Sequence, residues 1–175
     1  MKKVLYVVLA LVVIIAVLGL FAPKDFKVER SIVINKPSEV VFDYIKHIKN
    51  QNTWGVWAKK DPAIKQEYRG EDGTVGFVSA WEGNDEVGKG EQEIKSLVEG
   101  QRMETELRFM KPFESTNSGY MTTEKQGEGQ TKVVWGMQGK SPFPFNVLGL
   151  FMSMDKMIGK DFEQGLTNLK AELEK

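Results

Sequence analysis

The sequence predicts an α+β protein: a curved antiparallel sheet of about seven strands wrapped around a long C-terminal helix, with one N-terminal transmembrane helix in addition. Three observations lead there. An uncharged apolar run fills Val4 to Ala22, short alternating segments between glycine turns fill Ala63 to about Gln138, and a stripe at three- and four-residue spacing fills the end of the chain.

The first run is dominated by Val, Leu, Ile and Ala, and Val4, Leu11, Ile15 and Phe21 mark its extent as a membrane anchor. At about 1.5 Å per residue, a helix of this length nearly spans a hydrocarbon core of about 30 Å. Lys2 and Lys3 precede it, and Pro23, Lys24, Asp25, Phe26 and Lys27 follow with a weaker positive balance. The positive-inside rule then places the N-terminus in the cytoplasm and the domain outside. A cleaved signal peptide also has a basic start, but its apolar region is about 7 to 15 residues and ends in small residues at a cleavage site. Here the run is longer, and Pro23 would follow directly on Ala22. The expectation is an uncleaved single-pass anchor over residues 1–23 and one extracytoplasmic domain over residues 24–175.

Phe26, Val28, Ile32 and Ile34 recur at period two and predict an opening or edge strand. Pro37, Ser38 and Glu39 start a helix, because proline suits the first helical turn and an acid there suits the dipole. Val41, Tyr44, Ile45 and Ile48 give that helix one buried face and carry it to near Asn50; Gln51 to Trp57 reads as a short connector with a second helical turn. Six strands follow: Ile64 to Arg69, Thr74 to Trp81, Val87 to Val98, Arg102 to Phe109, Ser115 to Lys125 and Thr131 to Gln138. The turns between them carry Gly73, Gly83, Gly100, Gly127 and Gly129, which supply positions of positive φ. Arg102, Glu104, Glu106 and Arg108 alternate with Met103, Thr105, Leu107 and Phe109, so one sheet face is wet and the other covered. The cover is the closing helix, with Val147, Phe151, Met154, Ile158, Phe162, Leu166, Leu169 and Leu173 on one stripe for roughly seven turns.

Composition narrows the function classes. The chain of 175 residues has no cysteine, which removes thiolate zinc sites, thiol nucleophiles and cysteine-linked lipid anchors. Lys plus Arg equals Asp plus Glu, 24 against 24, with the basic residues dispersed among acids. Nucleic acid is excluded as an expected partner, because counterion release needs clustered positive charge. No cofactor is implied.

Taken together, "ERSIVINKPSEVVFDYI" at Glu29 to Ile45, "WGVWAKKDP" at Trp54 to Pro62, "WEGNDEVGKGEQEI" at Trp81 to Ile94, "LRFMKPFES" at Leu107 to Ser115, "GQTKVVWGMQG" at Gly129 to Gly139 and "GKDFEQGLTNLKAELE" at Gly159 to Glu174 resemble the START-like (SRPBCC) helix-grip superfamily, in particular its polyketide cyclase/dehydrase and lipid-transport branch. The resemblance covers about Lys27 to Lys175. It implies a deep apolar cavity between the long helix and the concave sheet that holds lipids, sterols, polyketides or other hydrophobic molecules. It implies no reaction, since the superfamily has no universal catalytic motif. In that frame Gly88 and Gly90 leave room for close approach of the helix.

The candidate cavity residues are Trp57, Trp81, Met103, Tyr120, Trp135, Met137, Met154 and Met157. Aromatics fill cores more often than they line ligand sites, but methionine adapts to promiscuous apolar surfaces. His47 is the only histidine. Alone it cannot build a typical zinc site, and as a general base it needs a cleft and an orienting partner, so a structural or solvent-exposed role is expected. Glu71, Asp72, Glu82, Asp85 and Glu86 sit beside Gly73, Gly83 and Asn84 and read as turn chemistry, not as a metal site. Ser141-Pro142-Phe143-Pro144-Phe145 is either a gate, a membrane-touching lip, or a stiff connector with its phenylalanines tucked under the helix; the last is expected. The function expected is a membrane-anchored binding or carrier module for a lipid, isoprenoid or polyketide-like molecule. The alternatives are a cyclase or dehydratase using a cavity acid-base group and a ligand-free interaction domain with a filled core and an exposed apolar patch.

Overall fold

A computed structural model describes residues 2–175. Helix α1 spans Lys2–Phe21, is apolar enough to cross a membrane, and is almost wholly exposed. Strand β1 (Asp25–Ile34) leads to helix α2 (Ser38–Ile45), a 3-10 turn (Ile48–Asn50) and two short helices, α3 (Gln51–Trp54) and α4 (Trp57–Lys60). Strands β2 (Lys65–Arg69), β3 (Val78–Glu82), β4 (Lys89–Val98), β5 (Arg102–Lys111), β6 (Ser115–Gly127) and β7 (Gln130–Lys140) follow as an antiparallel meander. A 3-10 segment (Phe145–Leu150) precedes the closing helix α5 (Met154–Leu173).

The seven strands form one sheet in the order β1-β7-β6-β5-β4-β3-β2. The first strand of the domain therefore pairs with the last, from Asp25 opposite Lys140 to Ile34 opposite Thr131. The sheet bends at irregular registers between Ile94 and Ser96 on β4, where an extra residue increases local twist. Helix α5 lies along β1 and buries Phe162, Leu166 and Leu169, and α2 contributes Val41, Phe42 and Ile45 to the same core. Arg30 on β1 fastens the helix: its guanidinium bonds Asp155 at 2.6 and 3.0 Å and Glu163 at 2.6 Å, lying where a side chain on Gly159 would have to be.

Three expected elements differ from those observed. The helix read as reaching Asn50 stops at Ile45, because Asp72 accepts the Ile48 amide at 2.8 Å and the Asn50 amide group bonds the Tyr44 carbonyl at 2.8 Å. The strand read from Thr74 begins at Val78, since Gly76 takes a φ of +89° and its amide bonds the Ile94 carbonyl. The stripe read as one seven-turn helix is divided. Val147 and Phe151 fall outside α5, which starts after Ser153 with an extended φ and ψ of −81° and 129°. The turn glycines Gly73, Gly100, Gly127 and Gly129 have positive φ as expected, whereas Gly83 does not.

Candidate functional site

Strand pairing fixes which residues share the concave face. Val28, Met137, Gly119, Thr105 and Ile94 run across it as one row, and Arg30, Trp135, Met121 and Met103 as the next. At the centre, Trp135 stacks on Phe162 with centroids 4.1 Å apart, while Trp54 and Trp57 meet Trp135 edge-on at 5.0 and 5.7 Å. This aromatic cluster fills the space between β7 and α5.

Toward the N-terminal end of α5 the face is less covered. Phe26, Trp57, Leu107, Phe109, Met154 and Ile158 pack against the core but remain only partly buried. Trp81 lies over Gly90 and meets Phe109 edge-on at 5.8 Å. Gly90 and Gly88 thus make room for Trp81 and for the Lys111 backbone of β5, not for the helix. Neutral polar groups stand among these residues: Gln92 donates to the Thr105 hydroxyl at 3.3 Å, and Asn117 is buried above Gly139 with its Oδ1 unpartnered. A buried acceptor without a donor carries a desolvation cost that a bound hydroxyl or amide would relieve.

Of the expected cavity residues, Trp57, Met103, Trp135 and Met137 gather on the concave face, Met154 packs over them from α5, and Trp81 stands beside them with Phe109. Tyr120 does not join them. It lies on the outer face, its ring flat over Gly136 and its hydroxyl donating to Glu29, with the Arg102 guanidinium 4.6 Å from the ring centre. Burial and the neighbouring Glu29 hold the Tyr120 phenol above its ordinary pKa, while hydrogen bonds from Tyr120 and Lys27 hold Glu29 below the usual carboxylate range. Met157 is also apart, at the exposed side of the first turns of α5. Leu107 and Phe109 were legible as inward positions of β5; Asn117 carries no sequence signal that sets it apart from a turn or edge asparagine.

His47 stands outside the concave face, against Gly73 and with Nδ1 3.6 Å from Asp72. Asp72 is itself occupied by the backbone amides of Ile48 and Lys49. Among the described residues no three His, Asp or Glu side chains are grouped as a metal ion would require. Two wide grooves open to solvent, of about 850 Å³ beside Glu39, Asp43 and Lys125 and about 580 Å³ beside Lys27, Ser118 and Gln138, are lined largely by polar residues.

The proline-aromatic loop departs from the expected packing. Phe143 and Phe145 are more than half exposed, and Phe143 lies against Gly19 near the end of α1. It is Asn146 and Val147 that are buried there.

A family profile described as polyketide cyclase/dehydrase and lipid transport matches residues 25–174. No curated protein matches the chain. Among solved structures, a hypothetical protein of Helicobacter pylori is 12% identical over 85% of this chain and 88% of its own, with a TM-score of 0.63. A Rhizobium loti protein is 16% identical over 85% and 96%, with a TM-score of 0.62. Ginseng major latex-like protein 151 from Panax ginseng is 13% identical over 86% and 98%, with a TM-score of 0.54. At these identities the likeness is one of fold.

Proposed function

The chain belongs to the polyketide cyclase/dehydrase and lipid-transport family, and from that membership we propose that it is a membrane-anchored binding module for a hydrophobic small molecule of lipid, isoprenoid or polyketide type. The observation that carries this reading is the partly buried apolar lining of Phe26, Leu107, Phe109, Met154 and Ile158, with the unpartnered Asn117 Oδ1 beside it. Such a surface takes up an apolar body and one hydrogen-bond donor. In this reading α1 is the anchor, Lys2 and Lys3 hold its start in the cytoplasm, and the domain works outside. Confinement to the bilayer surface raises the effective concentration of a lipid ligand. The full chain, purified in mild detergent, should carry lipid visible by native mass spectrometry and, once stripped, bind a fluorescent fatty-acid or isoprenoid probe at one site. Absence of both would end the proposal.

A second reading rests on the filled aromatic cluster of Trp54, Trp57, Trp135 and Phe162. It makes the domain a ligand-free interaction module. The same probe experiment separates the two. No comparable observation supports the cyclase or dehydratase alternative, since the charged groups bordering the concave face, Arg30 with Asp155 and Glu163, are paired with one another and His47 lies elsewhere.

A further inference from the structure

An exposed apolar patch of the domain lies beside the exit of α1. Phe151 is 77% exposed and Phe113 73%, and Phe145, Leu148, Leu150 and Met152 are each about half exposed. Single exposed apolar side chains are ordinary, but a contiguous group of this kind marks a contact surface. Two chain segments build it: the β5–β6 turn around Phe113 and the segment between β7 and α5. They meet where the Phe113 and Phe145 rings stand 6.3 Å apart.

The patch is held at a fixed place relative to α1. Asn146 is fully buried and donates its side-chain amide to the carbonyls of Gly19 and Ala22, at 2.8 and 3.2 Å. These carbonyls belong to the end of the helix, where no further turn can accept or donate. The Ser141 amide bonds the Lys24 carbonyl at 2.7 Å, and Phe143 covers Gly19. The connector between helix and sheet is only a few residues long, so the domain has no slack to lift away. Leu20 and Phe21, 77% and 84% exposed, continue the apolar surface of α1 into the patch. Lys24, Lys111 and Lys140 are exposed beside it, where cations meet phosphate headgroups.

We infer that this patch is a second membrane contact: the aromatic lip formed by Phe113, Phe145, Leu148 and Phe151 inserts into the headgroup and upper acyl region of a phospholipid bilayer and sets the domain's orientation on it. The partner is a bilayer surface because the patch is continuous with a helix of membrane-spanning length and is pinned to its end. The orientation has a consequence for the groove. Phe109 precedes the Phe113 turn and Met154 follows Met152, so the less covered end of the concave face opens beside the lip, and a ligand enters from lipid without crossing water.

The inference rests on reading α1 as an anchor, and the test separates the two. The chain has no cysteine, so Phe113→Cys, Phe151→Cys, Val12→Cys and Glu128→Cys each give one labelling site in the full chain. Glu128 sits in the β6–β7 turn, about 40 Å along β6 from the lip at about 3.3 Å per residue. Each variant carries an environment-sensitive fluorophore and is reconstituted in phosphatidylcholine and phosphatidylglycerol vesicles with lipids spin-labelled at shallow or deep positions. Shallow lipid should quench positions 113 and 151, deep lipid position 12, and neither position 128. Quenching at 12 with positions 113 and 151 as dark to lipid as 128 overturns the lip and leaves the anchor standing. No quenching at 12 removes the anchor and the lip with it. Labels at 113 and 151 that transfer energy between copies of the chain without lipid quenching would make the patch a self-association surface and overturn the inference.

Discussion

Trp135 and Phe162 lie face to face, their planes within 4° of parallel and their centroids 4.1 Å apart. One belongs to β7 and the other to α5, so this stack joins the sheet to the helix that closes it. Phe162→Ala should destabilise the domain by about 3 to 5 kcal/mol, the usual cost of emptying a buried phenylalanine site. Chemical denaturation of the two proteins measures it, and an unchanged midpoint would remove Phe162 from the core.

Arg30 and Asp155 predict an acid response. The guanidinium holds the Asp155 carboxyl below its ordinary pKa, chiefly by hydrogen bonding. A carboxylate lowered in the folded state stabilises it above the unfolded pKa of about 3.9, and that contribution disappears as the pH falls through the folded value. Below about pH 4 the wild-type should therefore lose stability more steeply than Arg30→Ala. Parallel pH profiles of the two melting temperatures would contradict the pairing.

Tyr120→Phe should raise the Glu29 pKa toward the ordinary glutamate value, because the Tyr120 hydroxyl is the main cause of its depression. NMR titration of the Glu29 carboxyl carbon reads this directly. A Glu29 pKa that stays put would break the link between the two groups.

Met154→Trp and Met157→Trp separate the groove from its surroundings. Met154 packs partly buried against the core, whereas Met157 is 53% exposed. Under the carrier reading the first substitution lowers uptake of a fluorescent fatty-acid probe and the second leaves it unchanged. Equal effects would place the probe elsewhere.

Gly136→Val places a side chain inside the space of the Tyr120 ring. The ring is held by Glu29 and Arg102, so relief by rotation breaks those contacts; overpacking of this kind costs about 1 to 3 kcal/mol. Thermal melting shows it, and a tolerated substitution would mean the ring is free to leave.

Segments with a strict period are legible in the sequence. Met103, Thr105, Leu107 and Phe109 face inward as their alternation requires, and Phe162, Leu166 and Leu169 sit on the buried side of α5. Where a tertiary partner competes, the pattern alone misleads. Val147 and Phe151 keep helical spacing with α5, yet Asn146 between them and the sheet turns to the carbonyls of α1, and the run becomes a 3-10 segment. Residue type alone makes Tyr120 a cavity candidate; the parity of β6, in which Gly119 and Met121 face inward, sends it to the other side. The buried Asn117 acceptor depends on its closeness to Gly139 across two strands, and nothing local to Asn117 records that.

The pairing of β1 with β7 also governs when the domain can fold. Arg30 and Glu163 are 133 residues apart in sequence, and the β1 edge has no partner until β7 exists. Contacts of such long range close slowly, because loop entropy must be overcome before any is made. During synthesis the strands from β2 to β6 can zip up in order, but the core stays open until the twenty residues of α5 are released. If α1 is already seated in the bilayer by then, this half-assembled sheet stands tethered at a lipid surface with its concave apolar face uncovered. A truncation ahead of Met154 would freeze that state, and such chains should be cleared by proteolysis or aggregate in place of accumulating as a smaller folded protein.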